Sequence, residues 1–321
     1  MKNRMFLAAT LAAAAIVFSP MAFTATKIPC KTAKLIVPWK PGGGTDVIFR
    51  IFANSINDTG TKPQIQIVNI SGQGGNKGAK EARRGTANGC TLFAIHQSAI
   101  TSYLNGRVDF TWDAFETVAL LTSSPDIVGA AVNAPWNSLK EMLDAGRKNP
   151  ETIPTGATFG STSQFMWLIM EDMTGAKFKY VPFEGTRERM TALLSNTIQL
   201  GTINVVAGKK YIKSGDLKAY GIAAEKRSDQ VPDLPTLREQ GVDLVYALKR
   251  GIVVPKGTPR DVIGHWANVF KKATEDPSVQ AQMAAKGTGV AFVGPKGYRK
   301  WFKKTYADHE KVAIKIGIFK R

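Results

Sequence analysis

The sequence predicts an α/β chain of two domains, each a mainly parallel sheet flanked by helices. Three observations predict it. Strand-like and helix-like apolar patterns alternate along most of the chain, as they do where helices cover parallel sheets. The length of 321 residues allows about two domains at roughly 150 residues each. Two long apolar segments, 118–132 and 245–254, interrupt the alternation as strands passing between domains would.

The first series starts with a short apolar run at 34–38 (KLIVP), of strand length. Ile48, Phe49, Phe52 and Ile56 then recur at helical spacing. Residues 65–70 (IQIVNI) alternate and predict a strand, 78–84 a helix, and 91–96 a further strand. Segment 118–132 is two apolar runs split by Ser123-Ser124-Pro125. Beyond it a second series predicts strands at 155–159, 179–183, 198–204 and 217–223, with helices at 164–173 and 186–194. Gly175 is placed to stop the first of these helices. The return crossing falls at 245–254, followed by helices at 260–274 and 279–286, a strand at 290–293 and a helix from Tyr298 to about Ile314. The expected division is therefore 26–124 plus 254–321 for the first domain and 125–253 for an inserted second.

Residues 1–25 read as a secretory signal peptide. Lys2 and Arg4 precede an apolar run at 5–18, and Pro20 leads into small residues around Ala22 and Ala25. The run, about 14 residues, is shorter than the ~20 that cross a bilayer. No cysteine sits there to carry a lipid. Export makes a disulfide permissible between Cys30 and Cys90, the two cysteines of the chain. Each precedes a predicted strand; neighbouring strands would bring the sulfurs together, and separated ones would leave two inert thiols. The three histidines and two cysteines lie in separate segments without metal-site spacing, so no metal or cofactor is expected. The net charge of +18 favours anionic partners. The basic residues are scattered and carry no recognition motif, which argues against nucleic acid.

The sharpest local signal is Pro41-Gly42-Gly43-Gly44-Thr45-Asp46, between a predicted strand and a predicted helix. Glycines let backbone approach a ligand closely, and the free N–H groups of a helix start attract an anion. The loop lacks the Gly-Lys-Ser/Thr ending of a phosphate-binding loop and the spacing of a dinucleotide fingerprint. A second loop, 156–163, brings Ser161 and Ser163 to another helix start. Both follow strands, at the sheet end where α/β folds bind ligands. Trp39 and Phe183 could wall a cleft or pack in a core. Gln97, Ser98 and Asn204 follow strand ends and complete the candidate set. No nucleophile elbow, zinc-protease helix or carboxylate pair is evident.

Several stretches together carry a family resemblance: VPWKPGGGTD (37–46), SGQGGNKGA (71–79), ANGCTL (87–92), GSTSQF (160–165), YVPFEG (180–185), KRSDQVPDLPT (226–236) and VPKGTP (254–259). In this order and spacing the chain resembles the substrate-binding receptors of tripartite tricarboxylate transporters, the Bug family, from about residue 36 to 316. The resemblance implies a type II periplasmic binding protein, a two-domain Venus-flytrap clamp with a hinge. It implies a monomer, without enzymatic activity, that takes a di- or tricarboxylate, amino acid or aromatic carboxylate to integral-membrane permease subunits. It also implies that the two loops hold one carboxylate, partly through water, which carries over to Gly43, Gly44, Thr45, Asp46, Ser161 and Ser163. Gln164 stands where histidine is common, Glu184 where lysine is common, and no aspartate follows Gln199; Glu184 facing the cleft would repel a second carboxylate. Two further readings stay open: the same clamp as a sensor for a membrane kinase, and a periplasmic hydrolase using Ser161.

Overall fold

The computed structural model describes residues 28–320. The expected signal peptide lies outside them. In chain order the first half runs β1 (Thr32–Val37), α1 (Gly44–Asp58), β2 (Gln64–Asn69), α2 (Asn76–Arg83), β3 (Thr91–Ile95) and α3 (Ser98–Leu104). A 17-residue strand, β4 (Phe115–Ala131), then leads to α4 (Leu139–Lys148), β5 (Pro154–Ala157), α5 (Thr162–Thr174) and β6 (Lys179–Pro182). Next come α6 (Thr186–Leu194), β7 (Leu200–Asn204), α7 (Val205–Ser214) and β8 (Leu217–Ile222). The chain returns through β9 (Ala247–Pro255) to α8 (Arg260–Glu275), α9 (Pro277–Ala285), β10 (Gly289–Val293) and α10 (Pro295–Lys315).

The sheet order is β2-β1-β3-β9-β4-β7-β5-β6, with β8 and β10 also paired to β4. β1 pairs parallel with β2 and β3, and β5 parallel with β6 and β7. All pairings of β4 and β9 are antiparallel. These two strands join the halves. β4 pairs with β9 from Phe115 to Pro125, then with β7 and β8 from Asp126 onward. The strand therefore runs through Ser123-Ser124-Pro125 without a break. Pro125, which has no N–H to give to a ladder, sits where β4 changes partners. β9 pairs with strands of the first half along its whole length, residues 247–253 included.

Apolar periodicity explains the elements. Ile48, Phe49, Phe52 and Ile56 of α1 are buried against Leu35 and Val37 of β1 and Phe270 of α8 in one core. A second core spans both halves, from Ile36 and Phe93 to Trp167 and Phe178, and is covered by Tyr298 and Phe302 of α10. α10 also reaches the second half directly: Lys315 pairs with Asp172, and His309 stacks on Phe165 at 4.9 Å. Three helices were not anticipated. α4 has an N-cap, Ser138, whose hydroxyl accepts the Glu141 N–H at 3.2 Å, and that pattern was readable. α3 is only seven residues long. α7 follows β7 without a turn, and Asn204 caps it by accepting from Ala207 N–H at 3.1 Å.

Cys30 and Cys90 are joined by a disulfide with Cα atoms 6.0 Å apart, made possible because β1 and β3 are neighbours. The bond closes a span of 60 residues, for which loop-entropy arguments give about 4 kcal/mol. A Cys30→Ser/Cys90→Ser variant should lose stability of that order; urea unfolding of the two proteins, compared with the reduced wild type, measures it.

Candidate binding site

Two helix starts, one from each half, meet at a crevice beside the crossing strands. Trp39, Gly43, Gly44 and Thr45 line it from the first half, and Ser161, Ser163, Arg189 and Asn204 from the second. The crevice leaves a space of about 50 Å³, several times the ~10–15 Å³ that one water needs. It is thus sized for a small molecule.

The glycine-rich turn is shaped from within. Gly42 has a φ of +78°, and its N–H donates to Asp46 Oδ2 at 2.8 Å. Asn69 Nδ2 donates to Asp46 Oδ1 at 2.8 Å and Arg50 Nε to Oδ2 at 2.9 Å. Burial raises the pKa of Asp46, but the hydrogen bonds from Arg50, Gly42 and Asn69 and the Arg50 charge outweigh it and hold the carboxyl below its ordinary value. Gly43, the N-cap of α1, has no side chain to occupy the free N–H groups of the first turn, and Gly43, Gly44 and Thr45 line the crevice. A Cβ on Gly44 would lie 3.4 Å from the Asn204 amide and 3.5 Å from Arg250 Nη2. A Cβ there would already be in van der Waals contact with that wall, so a larger branched side chain would fill the space between.

The second turn is built in the same way. Gly160 (φ +70°) precedes Ser161, the N-cap of α5, whose hydroxyl makes no capping bond. Ser163 Oγ accepts from Thr158 N–H at 2.9 Å, and Gln164 Oε1 from Gly160 N–H at 2.8 Å. The Gly160 carbonyl accepts from Thr101 and Ser102 of α3, each at 2.9 Å, which docks this turn on the first half.

Two arginines are buried in the walls. Arg250, 1% exposed, donates through Nε to Thr45 Oγ1 at 3.0 Å and through Nη1 to Ser124 Oγ at 2.8 Å. Arg189, 4% exposed, donates to the Thr202 carbonyl at 3.1 Å, Thr158 Oγ1 at 2.7 Å and Thr186 Oγ1 at 3.2 Å. Burial pushes both down to about 10, against the pull of Asp126, so both are cations at neutral pH. His96 stacks on Trp39 at 5.3 Å and accepts the Ser98 N–H on Nδ1 at 3.2 Å. That bond puts the neutral ring's proton on Nε2. Burial, then the Arg250 charge, lowers its pKa to about 3 and keeps it neutral. The halves also touch at the rim. Lys40 pairs with Glu188, Arg187 Nη1 donates to the Pro41 carbonyl, and Glu184 Oε2 accepts from Gly74 N–H at 3.0 Å.

Seven of the residues singled out from sequence line the crevice: Trp39, Gly43, Gly44, Thr45, Ser161, Ser163 and Asn204. Four do not. Asp46 is turned into its own loop. Gln97 spends its amide on β9, giving to the Ala247 carbonyl at 2.8 Å and taking from Lys249 N–H at 3.0 Å. Ser98 is buried at the start of α3. Phe183 packs on the apolar cluster of α6, β7 and β8. Sequence reasoning missed Arg189, Arg250 and Asp126. Asp126 and Arg250 carry a signal, each a charge inside an apolar run, and such a residue is held only by partners; Arg189, in the polar stretch Thr186-Arg187-Glu188-Arg189, carries none. Glu184, considered only as an obstacle, does line the crevice and faces a backbone N–H of the opposite half.

Two α/β halves joined by a pair of crossing strands, with helix starts and buried cations converging between them, define a solute-binding protein of the clamp type. The family model described as tripartite tricarboxylate transporter family receptor (TctC) matches residues 48–318, and the chain belongs to that family. It is 25% identical over 320 residues to the Cupriavidus necator "UPF0065 protein in gbd 5'region", covering 98% of this chain and 96% of that one. Among solved structures it is similar to the periplasmic binding protein BugD (25% identity, TM-score 0.84, 90% of this chain and 99% of that one). It is similar also to MatC from Rhodopseudomonas palustris with bound malate (26% identity, TM-score 0.82, 88% and 99%).

A Gly44→Val variant should keep its fold, since the backbone of Gly44 is ordinary helix, while the branched side chain intrudes between Asn204 and Arg250. Unchanged circular dichroism with at least a tenfold loss of ligand affinity in calorimetry is the expected outcome; equal affinity would remove the turn from the site.

Proposed function

We propose that the protein is a periplasmic receptor that captures a small carboxylate between its lobes and presents it to integral-membrane permease subunits, performing no chemistry on it. The lobes divide at Pro125 in β4 and just before Ala247 in β9, where strand pairing passes from one half to the other. The carrying observation is the convergence of the α1 and α5 starts with Arg189 and Arg250 on one small crevice. Helix N-termini and buried guanidiniums both favour an anion, and the low-polarity surroundings strengthen each contact. The similar protein MatC, which holds malate, supports the same ligand class. The hydroxyl of Ser161 has no hydrogen bond to a base among the described residues, and His96 in the same crevice is oriented by Ser98. That arrangement suits recognition rather than attack.

Closure supplies the signal to the permease. A ligand shifts the clamp only as far as it binds the closed form better than the open one, and the rim contacts from Lys40, Arg187 and Glu184 exist only when the lobes meet. Thermal-shift screening of the exported chain against mono-, di- and tricarboxylates, amino acids and aromatic acids is the test. A member of these classes should raise the melting temperature through binding linkage, and calorimetry should give one site per chain. No shift with any anionic compound would refute the reading.

A further inference from the structure

One charged group of the crevice has no role in holding the loops. Asp126 is buried, 4% exposed, and lines the crevice between Arg250 of β9 and Arg189 of α6. Its backbone is fixed in β4, N–H to the Tyr246 carbonyl at 3.1 Å and carbonyl to Ala223 N–H at 2.8 Å. Among the described residues its carboxyl takes no hydrogen bond from either guanidinium; Arg189 gives all three nitrogens to hydroxyls and a carbonyl, and Arg250 gives Nε and Nη1 to hydroxyls. Asp46, the other buried aspartate near the site, is saturated with donors. A buried carboxyl with free lone pairs, aimed at the ligand space, is expensive unless something arrives to meet it.

We propose that Asp126 is a specificity-determining residue of this receptor: in its protonated form it donates a hydrogen bond to the second carboxylate of a dicarboxylate, so that capture takes up one proton from solvent. This rests on the carboxylate-receptor reading and refines it. Charge balance supports it. Four basic side chains line the crevice, Lys40, Arg187, Arg189 and Arg250, against three acids, Asp126, Glu184 and Glu188. An ionised Asp126 leaves one positive charge, enough for a monoanion. A protonated one leaves two, matching a dianion. The groups packed about it leave the proton nowhere else to go. Arg250 and Arg189 are cations, Tyr246 is held far above its ordinary value by burial and the Asp126 charge, and His96, which faces Arg250, is neutral with a pKa of about 3. Burial raises the Asp126 carboxyl to about 7 although Arg250 and Arg189 oppose it. A second anion beside it raises it further.

The sign follows from linkage. The complex holds more protons than the free receptor, so affinity for a dianion is full below about pH 7 and falls as pH rises, by at most tenfold per unit. A monocarboxylate that leaves Asp126 alone has no such slope. The probes are succinate and adipate, with butyrate as control, titrated calorimetrically into wild type and Asp126→Asn across about pH 6.5–8.5, where free dicarboxylates are dianions. Buffers of different ionisation enthalpy count the protons. Wild type should take up close to one proton per dicarboxylate at the alkaline end and weaken with pH, while butyrate binding, where measurable, stays level. Asp126→Asn, a permanent mimic of the neutral acid, should bind the dicarboxylates with no proton uptake and no slope. Dicarboxylate binding to wild type without proton uptake would overturn the proposal and leave the receptor reading standing. So would a folded Asp126→Asn that keeps the wild-type slope or loses dicarboxylates altogether. Failure of wild type to bind any carboxylate at any pH would remove both.

Discussion

Everything at the centre of this molecule depends on keeping two guanidinium groups out of water. Arg250 and Arg189 are almost wholly buried, and a buried charge survives only where acceptors surround it. The acceptors come from widely separated parts of the chain: Thr45 at the start of α1, Ser124 at the crossing, Thr158 before α5, Thr186 on α6 and the Thr202 carbonyl on β7. Satisfying them ties both helix starts and the crossing strand into one geometry. The antiparallel pairing of β4 with β9 supplies the other half of the constraint, since it puts Ser124 opposite Leu248 and Pro125 opposite Ala247. The ligand space is what remains between groups already fixed for their own reasons.

That arrangement explains which parts were legible in the sequence. Apolar periodicity located most strands and helices, and the strand-glycine-helix order located both turns, because those features are local. The disulfide was conditional on strand adjacency, which alternation alone leaves open. Asp46 was misplaced because a carboxylate at a helix start serves equally to face a ligand or to fold back on its own loop; the donors that decide the matter, Asn69 and Arg50, include one 23 residues away. Gln97 and Phe183 follow strand ends as a site residue would, yet their side chains belong to β9 and to a core. Arg189, Arg250 and Asp126 come together only through tertiary structure. Asp126 and Arg250 show in the sequence as charges inside the apolar segments 118–132 and 245–254, whereas Arg189 lies in a polar stretch and leaves no such trace.

The departures from the family pattern acquire physical meaning in the fold. Gln164, where histidine is common, accepts the Gly160 N–H and helps shape the second turn. Glu184, where lysine is common, reaches across to Gly74, a glycine with a φ of +66° whose N–H is thereby satisfied. A lysine there could not accept that bond. The same side chain that would repel a second carboxylate at one orientation acts, in this one, as a link between the lobes.

The rim and the floor of the crevice differ in their exposure to electrolyte. Lys40 is half exposed where it meets Glu188, so dissolved ions weaken that contact readily, whereas Arg189 and Arg250 are sheltered. The contact between the halves at the rim therefore responds to the saltiness of its surroundings, while the charges of the floor do not. In the clamp proposed above, this division of labour lets the speed of release drift with the ionic medium while the choice of cargo stays fixed.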